Sequence, residues 1–115
     1  MSKLFKIIIK PIIKNKKEEV FLIKTDNSVL ILPELELDFS YENLNDFLLK
    51  KYKIIEDRVK IISDKINKRE LYGEMTYYIK LNSEDAGFII ETFRNGFFGD
   101  PFLENIKNED KTIIK

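Results

Sequence analysis

The chain has no cysteine and no histidine among its 115 residues. Without thiols there are no disulfides, no thiolate nucleophile and no thiolate metal site. Without imidazole there is no Ser/His or Cys/His dyad, no zinc site of the usual nitrogen or sulfur type, and no ready general base near neutral pH. Catalysis would then have to rest on carboxylates and an oxygen-ligated cation such as Mg²⁺ or Mn²⁺. Long apolar runs and a basic leader are also missing, so neither a signal peptide nor a membrane span is expected, and the expected compartment is the cytoplasm. What remains is a chain with 43% apolar content. A chain of this size buries roughly two-thirds of its unfolded surface in one core.

Basic and acidic residues number 20 each and cancel, but they alternate in blocks along the chain. Lys3, Lys6, Lys10, Lys14, Lys16 and Lys17 precede the first acid, Glu18. Glu34, Glu36, Asp38, Glu42 and Asp46 follow with no base among them, and then come Lys50, Lys51, Lys53, Arg58 and Lys60. Folding is expected to bring opposite blocks together as solvated ion pairs.

Residues 4–13, rich in Ile, Phe and Lys and interrupted by Pro11, read as a strand at a sheet edge. Residues 20–25 and 29–32 read as a hairpin about Asp26-Asn27-Ser28. From Pro33 the sequence alternates, with Glu34, Glu36 and Asp38 on one face and Leu35, Leu37 and Phe39 on the other. Ser40 offers a cap to a helix whose stripe is Tyr41, Leu44, Phe47, Leu48 and Tyr52. Residues 58–63 and 70–81 form an antiparallel hairpin, joined by polar residues 64–69. Ser83 caps a second helix, and Asp100-Pro101 opens a short third one. The expected architecture is α+β: a mixed or antiparallel sheet with two or three helices, the domain occupying residues 1–108 and a charged tail residues 109–115.

The order of strands, Leu32-Pro33, acidic loop, helix, long hairpin and C-terminal helix resembles the Nudix fold. In that family a strand ending in Pro-Gly-Gly leads to a box that closes R-E-U-x-E-E-x-G-U, where U is a bulky aliphatic residue. Its glutamates hold Mg²⁺ or Mn²⁺, which neutralises a diphosphate and activates water. Here Glu34-Leu35 stands in place of the two glycines. Aligning Lys50-Lys51-Tyr52-Lys53-Ile54 with E-E-x-G-U puts lysines at both glutamates and at the glycine, keeps the closing aliphatic as Ile54, and drops Asp46-Phe47 on the R-E pair. Lysines repel a divalent cation. The resemblance therefore implies the fold and argues against the activity: a pseudoenzyme, with no catalytic residue and no cofactor.

The expected role is a non-catalytic protein-interaction or ligand-sensing module. Its expected contact surfaces are Tyr72 and Tyr78 on one strand face, and Phe97 and Phe98 in a glycine-bordered turn. The alternative is a hydrolase of nucleoside-diphosphate type, with Mg²⁺ or Mn²⁺ on Glu34, Glu36, Asp38 and Glu42. A third reading is a small nucleic-acid binder. Zero net charge and the lack of a paired aromatic and glycine-rich RNA motif argue against that one, so the expected partner is a protein or a second copy of the chain.

Overall fold

Runs of isoleucine between lysines four residues apart make the first strand, and its neighbours determine which side of it is buried. The computed structural model describes residues 5–68 and 73–114. Strand β1 (Phe5–Lys14) runs parallel to β6 (Gly73–Asn82) along its whole length, from Phe5 opposite Gly73 to Lys14 opposite Asn82. It is therefore interior rather than the edge strand that Pro11 suggests. Its second side is shared by β4 (Leu35–Glu36), paired at Ile8 and Ile9, and β2 (Val20–Lys24), paired at Lys14. Pro11, which has no N–H to give, lies in the gap between these two short pairings.

The hairpin at residues 20–32 forms as read, with β3 (Leu30–Ile31) antiparallel to β2. So does the second hairpin, β5 (Lys60–Lys68) with β6, although β5 reaches five residues further than its polar composition indicates. The sheet order is β3-β2-β1-β6-β5, with β4 on β1 and β7 (Gly96–Gly99) on β2. The architecture is α+β, a mixed sheet with three α-helices.

Because side chains alternate across a strand, the sheet has two apolar faces. Ile9, Ile13, Phe21, Ile23, Ile79 and Leu81 point to one core, covered by α1 (Leu44–Tyr52) through Phe47, Leu48 and Tyr52 and by α2 (Gly87–Thr92) through Ile89. Ile12, Val20, Leu22 and Tyr78 point to the other, covered by Ile106 and by Ile113 and Ile114 of α3 (Asn108–Ile114).

Two local readings need correction. The third helix is not at Asp100-Pro101: there the Asp100 side chain accepts from the Phe102 N–H at 2.9 Å and its carbonyl from Leu103 at 3.1 Å, which closes a turn. It is instead α3, in the stretch read as a charged tail, because Asp110 and Ile113 give that stretch an inner face. Likewise Phe97 and Phe98 lie in strand β7, opposite Leu22 and Phe21, and not in a turn. Gly96 opens that strand because the Phe21 ring occupies the space a Cβ would take. Gly96→Ala is expected to cost about 1–3 kcal/mol by overpacking, read as a lower urea midpoint with unchanged slope.

Candidate functional site

The resemblance directs attention to the loop and helix between Pro33 and Ile54. Here the N-cap is Asn43 rather than Ser40, and its side chain accepts from the Asp46 N–H at 2.8 Å. Ser40 is drawn off earlier, because its N–H donates to the Asp38 carboxylate at 2.9 Å. That bond is the main reason the Asp38 carboxyl sits below its ordinary range. Asp46 accepts from the Glu42 N–H at 3.1 Å and pairs with Lys50 at 3.0 Å, and both hold its carboxyl low.

The helix ends on Lys53, which adopts left-handed backbone with φ 59° while its N–H closes on the Leu48 and Leu49 carbonyls. This conformation favours glycine, and glycine is what the aligned box has at that place. Ile54, aligned with the closing aliphatic, is buried. Lys50 and Lys51 lie in the last turn of the helix. Lys51 reaches over the Phe47 and Tyr52 rings at 5.7 and 5.8 Å.

The four carboxylates proposed as an alternative metal set are not brought together. Glu34 pairs with Lys10 at 3.6 Å and Glu36 with Lys6 at 3.8 Å. Asp38 is turned into its own loop, and Glu42 is exposed. Among the described residues no three acidic side chains lie close enough to share a cation. The donor set therefore does not fit the divalent ion that the family's box holds.

The aromatic contact residues also change meaning. Tyr78 is only 1% exposed, so it is core and not a contact surface. Phe98 is half-buried against Phe21, ring centroids 5.3 Å apart, and Phe97 lies half-buried beneath the Lys24 ammonium at 5.4 Å. Tyr72 lies outside the described residues. Phe102 and Leu103 are the most exposed large apolar side chains among the described residues, 71% and 82% exposed in the turn after β7.

Tyr78 belongs to a buried polar cluster that periodicity could not reveal. The Asp110 carboxylate, wholly buried on α3, accepts from the Lys10 ammonium at 3.0 Å, from the Tyr78 hydroxyl at 3.1 Å and from the Leu32 N–H at 3.1 Å. The Lys10 ammonium also lies 5.5 Å from the Tyr78 ring centroid. Burial alone would lower the Lys10 ammonium, but the charge and hydrogen bond of Asp110 outweigh it and hold it above its ordinary value. Burial, helped by the Asp110 charge, pushes the Tyr78 hydroxyl up to about 12. The sequence signal for this cluster was weak: a lysine in an isoleucine-rich run, and an acid three positions before an aliphatic pair.

No family profile and no curated protein matches the sequence. Solved structures do. The chain is similar to Shewanella oneidensis NrtR, with a TM-score of 0.62 and 12% identity over 94% of this chain and 59% of that one. It is similar to the same protein complexed with a 27mer DNA, with a TM-score of 0.60 and 10% identity over 94% and 58%. It is also similar to the MutT protein from Methanosarcina mazei Go1, with a TM-score of 0.59 and 13% identity over 99% and 93%. The chain spans about three-fifths of the length of the NrtR chains. The expectation that nucleic acid is an improbable partner is overturned, since a protein of this fold has been crystallised on DNA. Zero net charge is a property of the whole surface and says little about one patch of it. Among the described residues no helix is long and apolar enough to cross a membrane. The fold is Nudix-like.

Both Lys10 and Tyr78 keep their protons in the fold at a pH where the unfolded chain releases them. The stability they contribute is fully present below about pH 10 and is lost as pH rises towards 12. Urea midpoints between pH 8 and 12 are expected to fall over that window, and less steeply in Tyr78→Phe. Asp110→Ala removes the nearer counter-charge of a buried ammonium, leaving it only the exposed Glu34 at 3.6 Å, and is expected to cost about 3 kcal/mol. Lys53→Gly, which relieves the left-handed strain, is expected to raise stability by about 0.5–1 kcal/mol; a lower melting temperature in that variant would show the αL assignment to be wrong.

Proposed function

We propose that this chain is a non-catalytic module on a Nudix-like fold, a ligand-sensing or protein-interaction domain whose metal-binding box has been replaced. The observation that carries the reading is the end of α1. The left-handed Lys53 and buried Ile54 support the alignment of this turn with the close of the box, and Lys50 and Lys51 then fall on the glutamates that hold the cation. The carboxylates that remain in the loop support the same reading, since Glu34 and Glu36 are paired with lysines and Asp38 with its own backbone. A cation bound there would have to displace those lysines and gather acids from separate places, against the repulsion of the last helical turn.

Nucleic-acid binding is a second reading. It is favoured by the likeness to NrtR, one structure of which contains a 27mer DNA, together with the block of lysines at the start of the sequence. Since this chain covers 58% of that one, the DNA-bound protein has parts with no counterpart here.

Calorimetric titration with Mn²⁺, on the wild-type chain and on Glu36→Ala/Asp38→Ala, tests the first reading. No binding is expected at millimolar metal, and no turnover of nucleoside diphosphate derivatives. Stoichiometric binding that the double variant loses would restore the hydrolase. Binding to a duplex that weakens steeply between low and physiological salt would instead favour the nucleic-acid reading.

A further inference from the structure

On the face of the sheet opposite α1, the start of β5 and the end of β6 are left uncovered beside α3. A cleft of about 340 Å³ opens there. Three lysines stand round it, Lys14, Lys60 and Lys80, and its walls are isoleucine, chiefly Ile12, Ile62 and Ile113. No acid lines it.

The lysines are placed where ordinary packing gives no reason for them. Lys60 and Lys80 stand directly opposite each other in the antiparallel ladder. Like charges in that relation repel, and among the described residues neither has an acidic partner within ion-pair distance. A lysine on an edge strand guards against edge-to-edge pairing, which accounts for Lys60 on β5. It does not account for Lys80, because β6 is interior, paired with β1 on one side and β5 on the other. In the same register Lys80 neighbours Ile12. The ladder also slips between Ile61 and Ser63, which leaves Ile62 as an extra residue. Bulges re-aim side chains, and here two consecutive isoleucines, 61 and 62, are exposed at the rim.

We infer that this cleft binds a small organic phosphate, the phosphate held between Lys60, Lys80 and Lys14 and the apolar body against Ile12, Ile62 and Ile113. Lys60 and Lys80, positive and without a protein counter-ion, set the sign of the ligand, while Lys14 reaches the exposed Glu18 at 3.6 Å and can turn to the phosphate; the isoleucine walls require an apolar portion, and the volume admits a body of about one or two rings. The site is independent of α1 and stands whether or not that helix holds a metal, so the manganese titration and the experiment below fail separately.

The test is an amide chemical-shift titration of the full chain with phenyl phosphate, with inorganic phosphate and benzyl alcohol as the two half-ligands. Phenyl phosphate is expected to shift residues 12, 14, 60–62, 80, 113 and 114 saturably, with each half-ligand about tenfold weaker or more. Lys60→Gln/Lys80→Gln is expected to weaken it about tenfold while the spectrum stays dispersed and the melting temperature holds or rises. Shifts elsewhere, or none at millimolar ligand, overturn the proposal, as does a double variant that binds as well as the wild type. Shifts at these residues that follow protein concentration instead of ligand would assign the cleft to a second copy of the chain, and also overturn it.

Discussion

One buried ion pair links the beginning of this molecule to its end. Lys10 and Asp110 are 100 positions apart in sequence and 3.0 Å apart in space, and both are almost wholly removed from water. A pair of this kind adds little net stability over an apolar replacement, because desolvation consumes most of the attraction. What it does is make other arrangements costly. If α3 shifted along the sheet, the Asp110 carboxylate would lose its bonds to the Lys10 ammonium, the Tyr78 hydroxyl and the Leu32 N–H at once. The second core, from Ile12 to Ile114, is therefore held in register by one carboxylate. The short hydrogen-bonded run of residues 105–107 beside Leu30 extends the same attachment.

The other half of the molecule shows which residues of helix α1 the fold depends on. Phe47, Leu48 and Ile54 keep the apolar contacts of helix α1 and its exit, and these are what the sheet requires. The surface of the last turn carries no such requirement. Lysines there cost nothing in packing, and one of them even tolerates a left-handed backbone that a glycine would enter more easily. The likenesses to NrtR and MutT, at 10–13% identity, are of the same kind: they concern the arrangement of sheet and helices, which many sequences satisfy.

Period-two and period-three-to-four patterns were enough to read the two hairpins, helix α1 with its Phe47, Leu48 and Tyr52 stripe, and the α+β class. They failed where a residue's neighbours come from far along the chain. Pro11 looks like an edge marker until β4 and β2 are seen to leave a gap around it. Tyr78 alternates with Ile79 as a solvent-facing residue would, and only α3, whose charged composition reads as a tail, buries it. Glu34, Glu36 and Asp38 share a face of an extended segment in sequence, but the partners that fix each of them, Lys10, Lys6 and the Ser40 N–H, could not be inferred from spacing. Phe97 and Phe98 were visible as an aromatic cluster. That they pack on β2, leaving Phe102 and Leu103 outside, follows from a strand pairing between residues over 70 positions apart.

The parallel seam between β1 and β6 has a consequence for the order in which the chain can assemble during synthesis. The first ten-residue strand emerges early, but the strand that pairs with it along its whole length lies some 68 residues later. The carboxylate that neutralises Lys10 comes later still. Until then the exposed Glu34 is the acid that Lys10 can meet. Long-range parallel pairing is intrinsically slow because the loop must close before the contacts reward it. The opening strand therefore has only its short pairings with β2 and β4 until residues 73–82 have been made, and over that interval most of its length is open to other contacts.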